Sequence, residues 1–203
     1  MTIISRRIVV PQPGAADLAA EQARKMADVM NQLGAKARAV KVIMGEDAGQ
    51  IEIFGRYDNF TNGARILGAL GASAEATAIR AKIELGMTSD MMGPYVYRTV
   101  FGEPTTQPIV VQRMYQISRA HLQAGIALLP EAKAAFGDKV GMAAVVPVFA
   151  PEMDRLIISY YIDSLDELGK TLDEQAMAPA YQNVVNKAAQ FGELITARVL
   201  APV

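Results

Sequence analysis

The spacing of apolar positions in the first half of the chain switches between strand-like and helix-like patterns. The run RRIVVPQ at 6–12 is short and continuously apolar, which is typical of a strand. Apolar residues then recur at helical spacing from 15 to 33, and Gly34 follows as a helix stop. These signals predict a strand followed by an amphipathic helix.

The next segments complete one structural unit. Two strand-like runs within 35–58 flank GEDAG, whose glycines suit a hairpin loop. A second helix is predicted over 60–85, with a break near Gly71 and Ser73. A strand over 94–101 follows, so the predicted order is βαββαβ.

The second half of the chain repeats this order. A strand is predicted over 109–116 and a helix over 118–137, which Pro130 must kink or split. The runs KVGMAAVVPVF and DRLIISYYI predict a second hairpin around APEM. A helix over 164–192 is interrupted before Pro179, a residue that suits a first helical turn, and LITARVLAP predicts the last strand.

One phrase occurs in both halves, as IEIFGRYDNF at 51–60 and LIISYYIDSL at 156–165. Its Asp residues, Asp58 and Asp163, are followed by Asn59 and Ser164, which are predicted helix N-caps. Ser164 is predicted to form a capping box with Glu167 three residues later. The repetition predicts a tandem duplication.

The duplication divides the chain into predicted units at 1–104 and 105–203, with Arg98 and Arg198 expected at matching places in the closing strands. A βαββαβ unit with right-handed crossovers gives a four-stranded antiparallel sheet with two helices on one face. The other sheet face needs a partner surface, and a second fused copy can provide one.

The doubled hairpin-to-helix phrase (EIFGRYDNF and ISYYIDSLDEL) and the broken helix APAYQNVVNKAAQFG resemble the dimeric α+β barrel superfamily in its tandem, single-chain form. The resemblance covers nearly the whole chain. It implies an α+β fold of two ferredoxin-like repeats whose antiparallel sheets pack face to face as a barrel. Known members include cofactor-free monooxygenases, haem-degrading oxygenases, chlorite dismutases, muconolactone isomerases and polyketide cyclases, so the resemblance indicates a fold and leaves the function open.

The two hairpins predict which residues face the helices. In the third strand of each unit one alternating set is predicted to do so: Ile51, Ile53 and Tyr57 in the first copy, and Leu156, Ile158 and Ile162 in the second. The other set is predicted to face the barrel interior, where it would place Glu52, Arg56, Ser159 and Tyr161, with Arg98 and Arg198 as possible additions from the closing strands.

Two interpretations of these polar residues stay open. In the first, they line a pocket for a small aromatic or carboxylate-bearing molecule, with Arg56, Glu52, Arg98, Arg113, Tyr115 and Ser159 as ligand-binding candidates. In the second, they form ion pairs, such as Glu52 with an arginine, that fill the seam between two sheets.

His121 is the single histidine of the chain, and with Tyr161 it is a candidate catalytic residue. It lies at the start of the helix that follows Ser118, where it could be a general base, an axial haem ligand or an exposed helix-start residue. Haem-binding relatives place their ligand histidine in the second helix of a unit, and this chain has no Trp. Haem chemistry is therefore not expected, and no cofactor is predicted.

The segment GMTSDMMG at 86–93 has no counterpart in the second half. It is predicted to be a loop, which could act as a lid or an oligomer contact or simply pack against the protein.

Composition excludes several classes of protein. The net charge of −1 gives no basic field for nucleic acid or anionic membranes, and no apolar run is long enough to span a bilayer. The absence of Cys rules out disulfides and thiolate chemistry, and a single His cannot make a multi-histidine metal site. The N-terminus lacks a signal-peptide pattern, so a cytoplasmic protein is expected.

Three functions remain open at this stage. The first is a small-molecule-binding barrel, for an aromatic, polyketide-like or lipid-like metabolite, that forms a homo-oligomer such as a dimer. The second is a cofactor-independent monooxygenase or an isomerase or cyclase, in which the substrate supplies the reactivity and the protein a dry cavity. The third is a structural or assembly protein with a filled interior.

Overall fold

The computed structural model describes residues 2–84 and 88–203, and it divides into two compact units. The first unit comprises Met1–Arg98, Val148–Pro151 and Ala201–Val203, and the second comprises Thr99–Pro147 and Glu152–Leu200. The predicted boundary after residue 104 stays a prediction.

The first half of the chain forms a βαββαβ unit whose second helix is in two pieces. Its elements are β1 (Ile3–Pro11), α1 (Ala16–Gln32), β2 (Lys36–Gly45), β3 (Ile51–Tyr57), α2 (Phe60–Ala72), α3 (Ala74–Glu84) and β4 (Ser89–Gly102).

The second half has the same order, and both of its helical regions are divided. Its elements are β5 (Ile109–Ile117), α4 (Leu122–Ala127), α5 (Leu129–Phe136), β6 (Gly141–Phe149), β7 (Arg155–Ile162), α6 (Leu165–Lys170), a π-helical turn (Thr171–Ala176), α7 (Pro179–Ala188) and β8 (Gly192–Pro202).

The strand pairing is antiparallel and follows the same order in both units. β1 pairs with β3 and β4, and β3 pairs with β2. In the second unit β5 pairs with β7 and β8, and β7 pairs with β6. The ladders begin equivalently, with Ile3 opposite Tyr57 and Ile109 opposite Ile162. The predicted ferredoxin-like order is therefore confirmed in each half.

The core of the first unit lies between its sheet and α1. Ile51, Ile53 and Tyr57 are at most 6% exposed and pack with Met26 and Met30 of α1 in one hydrophobic cluster. The helix-facing set predicted for β3 is thus confirmed, because alternation places these residues on the same side of the strand. In the second unit, Leu156 and Ile158 of β7 likewise line a small void together with residues of α5 and α7.

Helix ends follow the predicted signals. At the end of α1, Gly34 has φ +98°, and the backbone N–H groups of Gly34 and Ala35 donate to the carbonyls of Asn31 and Met30, each at 3.0 Å. This is a Schellman motif, in which glycine avoids the steric cost of the left-handed conformation. Pro130 sits in the first turn of α5, so the predicted split of that helix is confirmed.

Both predicted N-caps are present at the repeated phrase. The side chain of Asn59 accepts from the N–H of Asn62 at 2.9 Å, and Ser164 Oγ accepts from the N–H of Glu167 at 3.1 Å. Only one of the two bonds of the capping box expected at Ser164 is formed: Ser164 Oγ accepts from the Glu167 N–H, whereas the Glu167 carboxylate pairs with Lys170 and does not accept from Ser164.

The closing strand β4 differs from its prediction. It begins at Ser89, so 89–93 belongs to a strand and not to a loop, while 85–87 lie outside the described residues. The register of β1 against β4 shifts between Arg6 and Ile8, so that Arg7 faces a bulge at Gly93 and Pro94.

The expected match of Arg98 with Arg198 is wrong. Arg98 pairs with Ile3, the first residue of the β1 ladder, whereas Arg198 pairs with Gln112, four positions into β5. The residue of β4 that corresponds to Arg198 is Tyr95, which pairs with Arg6. The π-helical turn at 171–176 was also not predicted from sequence.

Among the residues that the structure describes, no helix combines the length and the apolar character that crossing a bilayer requires.

We expect Asn59→Ala to lower the free energy of unfolding by about 1 kcal/mol, because α2 loses the acceptor for its first-turn N–H. Urea denaturation followed by circular dichroism measures this change. Asn59→Ser is the matched control and should stay near the wild type, since the second unit uses Ser164 at the equivalent cap. Equal stabilities of Asn59→Ala and Asn59→Ser would contradict the assignment.

Candidate functional site

Strand β1 buries two consecutive arginines on opposite sides of the first unit's sheet. Ser5, Arg6 and Arg7 are each at most 8% exposed. Neighbouring residues of a strand point to opposite faces, so Ser5 and Arg7 share the helix side with Ile53 and Tyr57, and Arg6 points the other way.

A pocket of about 180 Å³ borders Arg7 on the helix side of the sheet. We call it the Arg7 pocket, and it is lined by Ile3, Ser5, Arg7, Tyr57, Phe60, Gly63, Ala64, Leu67, Pro94, Val96 and Phe149. Most of these side chains are apolar. Phe60, Leu67 and Phe149 remain 42–67% exposed, so the pocket has buried polar groups and an exposed apolar rim.

The guanidinium of Arg7 has weak acceptors around it. Its Nη1 donates to Met30 Sδ at 3.7 Å, and thioether sulfur is a poor acceptor. Burial lowers the pKa of Arg7, the neighbouring Tyr57 hydroxyl opposes this effect, and Arg80 adds to it. Within residues 2–84 and 88–203, no carboxylate forms an ion pair with Arg7.

Gly55 determines where the Tyr57 hydroxyl lies. A Cβ at position 55 would be 2.7 Å from the Tyr57 hydroxyl, 2.9 Å from Ser5 Oγ, and in collision with Met30 Cε. Because glycine leaves this space free, Tyr57 OH and Ser5 Oγ can form a hydrogen bond of 3.0 Å beside Arg7. Gly63 of α2 lies next to the Tyr57 ring from the helix side.

The opposite face of the first sheet carries a buried ion pair. Arg6 Nε donates to Glu52 Oε2 at 2.9 Å, Arg6 Nη2 donates to Glu52 Oε1, and Glu52 is fully buried. Burial disfavours the charge on Arg6, but Glu52 and Tyr97 outweigh it, and the pKa of Arg6 is raised. This is the ion-pair interpretation of Glu52, realised with an arginine that sequence reasoning did not select.

The second unit uses different residues on the corresponding face. Gln112, which is equivalent to Arg6, accepts from Arg198 Nε and Nη2 at 3.2 and 2.8 Å. Gln112 also donates to Ser159 Oγ at 3.4 Å, and all three side chains are buried. Ser159 therefore belongs to a buried amide–guanidinium network.

Arg113 is equivalent to Arg7, and in the second unit a tyrosine accepts one of its hydrogen bonds, while its buried Nε has no partner among the described residues. Arg113 Nη1 donates to the Tyr181 hydroxyl at 3.0 Å, and its guanidinium carbon lies 5.7 Å from the centre of that ring. The Tyr181 and Tyr160 hydroxyls are 3.2 Å apart. Burial, with Tyr181 as the next cause, raises the pKa of Tyr160 well above its usual value. Burial likewise raises the pKa of Tyr115, against the effect of Arg113.

The space beside Arg113 is mostly filled. The void on the helix side of this sheet has about 50 Å³ and is lined by Tyr160 and Tyr181 but not by Arg113, whereas the Arg7 pocket has about 180 Å³. Tyr160 stands where the first unit has Gly55, and Phe136 packs edge-on against both Tyr160 and Tyr181 at 5.1 and 4.5 Å between ring centres. Aromatic side chains therefore occupy the second unit where the first keeps glycine.

The predicted site residues do not converge on one place. Glu52 and half-buried Arg56 share the non-helix face of the first sheet, and Ser159 and Tyr161 share the corresponding face of the second. Arg113 and Tyr115 lie on the helix side of the second unit. Arg98, expected on the inner face with Glu52, is exposed and lies on the side of Ile3 and Val96.

The two catalytic candidates are far apart. His121 is exposed, precedes α4 as its N-cap and touches Phe191 edge-on, with ring centres 6.0 Å apart. Tyr161 pairs with Val110 near the start of β5, whereas His121 follows the end of that strand at Ile117. At about 3.3 Å per residue, the intervening strand separates them by roughly 23 Å.

Sequence reasoning missed Ser5, Arg7 and Tyr57. The available signal was the pair Arg6-Arg7 inside the apolar run IISRRIVVP, because adjacent charges in a buried strand must point to opposite faces. The predicted strand begins at residue 6 and therefore does not include Ser5. Tyr57 is predicted on the helix side of its strand, outside the set of site candidates.

Two other features of the described residues offer no comparable site. A groove of about 580 Å³ between α5 and α7 is open to solvent and is lined by alanines, amides and the Glu131–Lys187 ion pair. In the part of the chain that the structure describes, no group of three or more His, Cys, Asp or Glu side chains could hold a metal ion.

No family model matches the sequence, and no curated protein matches it. Solved structures do match over nearly the whole chain. A proposed monooxygenase from Fusobacterium nucleatum has a TM-score of 0.67 at 5% identity, with 99% of this chain and 94% of that chain covered. An anthrone oxidase-like protein has a TM-score of 0.66 at 14% identity, with 100% and 91% covered.

A proposed monooxygenase from Lactobacillus acidophilus is similar to the same extent, with a TM-score of 0.65 at 8% identity and 99% and 96% of the two chains covered. At these identities the likeness shows the fold alone. The chain therefore has the α+β fold of these structures, with the predicted ferredoxin-like strand order in each half.

We expect Tyr181→Phe to destabilise the protein more than Tyr160→Phe. Tyr160→Phe removes one hydrogen bond, at a cost of about 1 kcal/mol, whereas Tyr181→Phe leaves both Arg113 Nη1 and the Tyr160 hydroxyl without this acceptor. The difference in unfolding free energy, measured by urea denaturation, should be at least about 1 kcal/mol. Equal losses would show that the Arg113–Tyr181 bond contributes no stability.

Proposed function

We propose that this protein binds a small molecule in the Arg7 pocket of its first unit. The observation that carries the proposal is a pocket with apolar walls, an exposed apolar rim, and the buried hydroxyl and guanidinium groups of Ser5, Tyr57 and Arg7. Ligand sites are typically concave and mostly apolar, with a few polar groups that fix orientation.

The volume limits what the pocket can hold. An apolar cavity of about 150 Å³ is large enough for benzene. A pocket of about 180 Å³ therefore suits one ring or a short branched chain, and any larger part of the ligand would rest on Phe60, Leu67 and Phe149. Because the void on the helix side of the second unit is about 50 Å³ and Arg113 does not line it, we propose one such site in each chain.

The alternative of a structural protein with a filled interior has less support. The second unit matches that description on its helix side, where Tyr160, Tyr181 and Phe136 pack together. The first unit does not, because a pocket of about 180 Å³ lies beside Tyr57 and Gly63. The expected homo-oligomer and the cytoplasmic location stay predictions.

A pocket-filling substitution tests binding. We expect Gly63→Leu to weaken binding of p-cresol, a neutral single-ring probe, at least about tenfold in ligand-detected NMR or calorimetry, because the added side chain occupies the pocket beside the Tyr57 ring. Gly68→Leu is the matched control on the same helix, since a Cβ at Gly68 meets nothing within 4 Å. Both replacements raise helix propensity, so both variants should fold.

The proposal fails if p-cresol does not bind to the wild type, or if Gly63→Leu and Gly68→Leu bind it equally. Either result would show that the Arg7 pocket is not a binding site.

The second candidate function is a cofactor-independent oxygenase, which the names of the similar structures also suggest. The favouring observation is that Tyr57 and Arg7 lie together in a pocket with mostly apolar walls, where they would stabilise the oxyanion formed when an activated CH₂ conjugated with a carbonyl loses a proton to solvent. O₂ would then oxidise that carbon to a carbonyl, with one oxygen atom retained and the other released as water.

Oxygen consumption with anthrone as the probe tests this candidate. We expect consumption above the protein-free rate, reduced at least about tenfold in Tyr57→Phe and unchanged in Gly68→Leu, because only the first variant removes a hydroxyl of the pocket. A wild-type rate equal to that of buffer would remove this candidate and leave binding in place.

A further inference from the structure

Arg6, Arg7 and Arg113 of the central strands differ in the groups that accept their hydrogen bonds. Arg6 has the carboxylate of Glu52. Arg113 has the hydroxyl of Tyr181 and is only half-buried. Arg7 is 5% exposed and donates to a sulfur atom, with Tyr57 as its other neighbour.

The environment of Arg7 is costly for a cation. A buried charge requires paired and hydrogen-bonding groups, and an arginine cannot lose its proton under ordinary conditions to escape the cost. The direction of its pKa shift agrees, since burial lowers the pKa and no acidic residue is among the causes that oppose it. An anion in the Arg7 pocket would add a charged acceptor, which no carboxylate among the described side chains provides.

The two hydroxyls of the pocket add a donor to this site. Ser5 Oγ and Tyr57 OH share one hydrogen bond at 3.0 Å, and that bond uses the hydrogen of only one of them. The other hydroxyl hydrogen can point to a ligand oxygen. A carboxylate accepts hydrogen bonds and donates none, so it matches a guanidinium and a hydroxyl better than an amide does.

We propose that the ligand of the Arg7 pocket carries a carboxylate or a comparable anionic oxygen group, which pairs with Arg7 while the apolar body of the ligand extends to the rim. This inference rests on the proposed binding function and names the chemical class of the ligand. The rim residues Phe60, Leu67 and Phe149 carry no charge, so the apolar end of such a ligand meets an apolar mouth.

The proposal is tested with two probes of the same shape, p-toluate and p-toluamide, at pH 7. We expect the wild type to bind p-toluate roughly 10- to 100-fold more tightly than p-toluamide, measured by calorimetry. Arg7→Met keeps an unbranched apolar side chain at this position and should reduce that ratio to about one. Arg113→Met, at the equivalent position of the other unit, should leave the ratio unchanged.

The outcomes separate this inference from the proposed function. Binding of p-cresol that is sensitive to Gly63→Leu, together with no preference for p-toluate, would overturn the anionic ligand and leave the binding pocket. A preference that survives in Arg7→Met, or that disappears equally in Arg113→Met, would also overturn it. If Arg7→Met does not fold, two measurements test the proposal instead. They are the ratio of p-toluate to p-toluamide affinity in the wild type and the loss of that ratio in Gly63→Leu.

Discussion

A guanidinium group that leaves water needs an acceptor close by, and much of the arrangement of this protein follows from meeting that need on central strands. Strand β1 buries two consecutive arginines, so the requirement applies on both faces of one sheet at once. On one face Glu52 provides a carboxylate for Arg6. On the other face Arg7 has a thioether and a tyrosine hydroxyl beside it, and among the side chains that the structure describes no carboxylate pairs with it.

The two halves of the chain show how one backbone position can lead to two different interiors. Arg7 and Arg113 occupy equivalent places, but the second unit has Tyr160 where the first has Gly55, and it adds the ring of Tyr181 from α7. The Tyr181 hydroxyl accepts one hydrogen bond from Arg113, and the two rings leave a void of only about 50 Å³. The first unit keeps the space, so a site in one half and a solid core in the other arise from a few changes of side-chain volume.

The fold could be predicted because its signals are local and occur twice. The helix stop at Gly34, the caps at Asn59 and Ser164, and the split at Pro130 each depend on residues close in sequence. The site could not be predicted in the same way. Whether Arg6 or Arg7 has a carboxylate depends on the register of β1 against β3, and the position of the Tyr57 hydroxyl depends on the room that Gly55 leaves for it. His121 is a catalytic candidate because it is the single histidine of the sequence. Its position at an exposed helix start follows from the length of β5.

The bulge in β4 opposite Arg7 has an evolutionary consequence. Gly93 has φ +94°, and a Cβ there would lie 2.7 Å from the Arg6 carbonyl oxygen. The position therefore requires glycine. Pro94, next to it, forms part of the pocket wall. Because Gly93 and Pro94 lie outside the ladder, at the point where the register of β1 against β4 shifts, the wall at position 94 can change shape while the paired residues on both sides keep their partners. Substitutions at position 94 could therefore change which ligands the relatives of this protein bind, while the fold is kept.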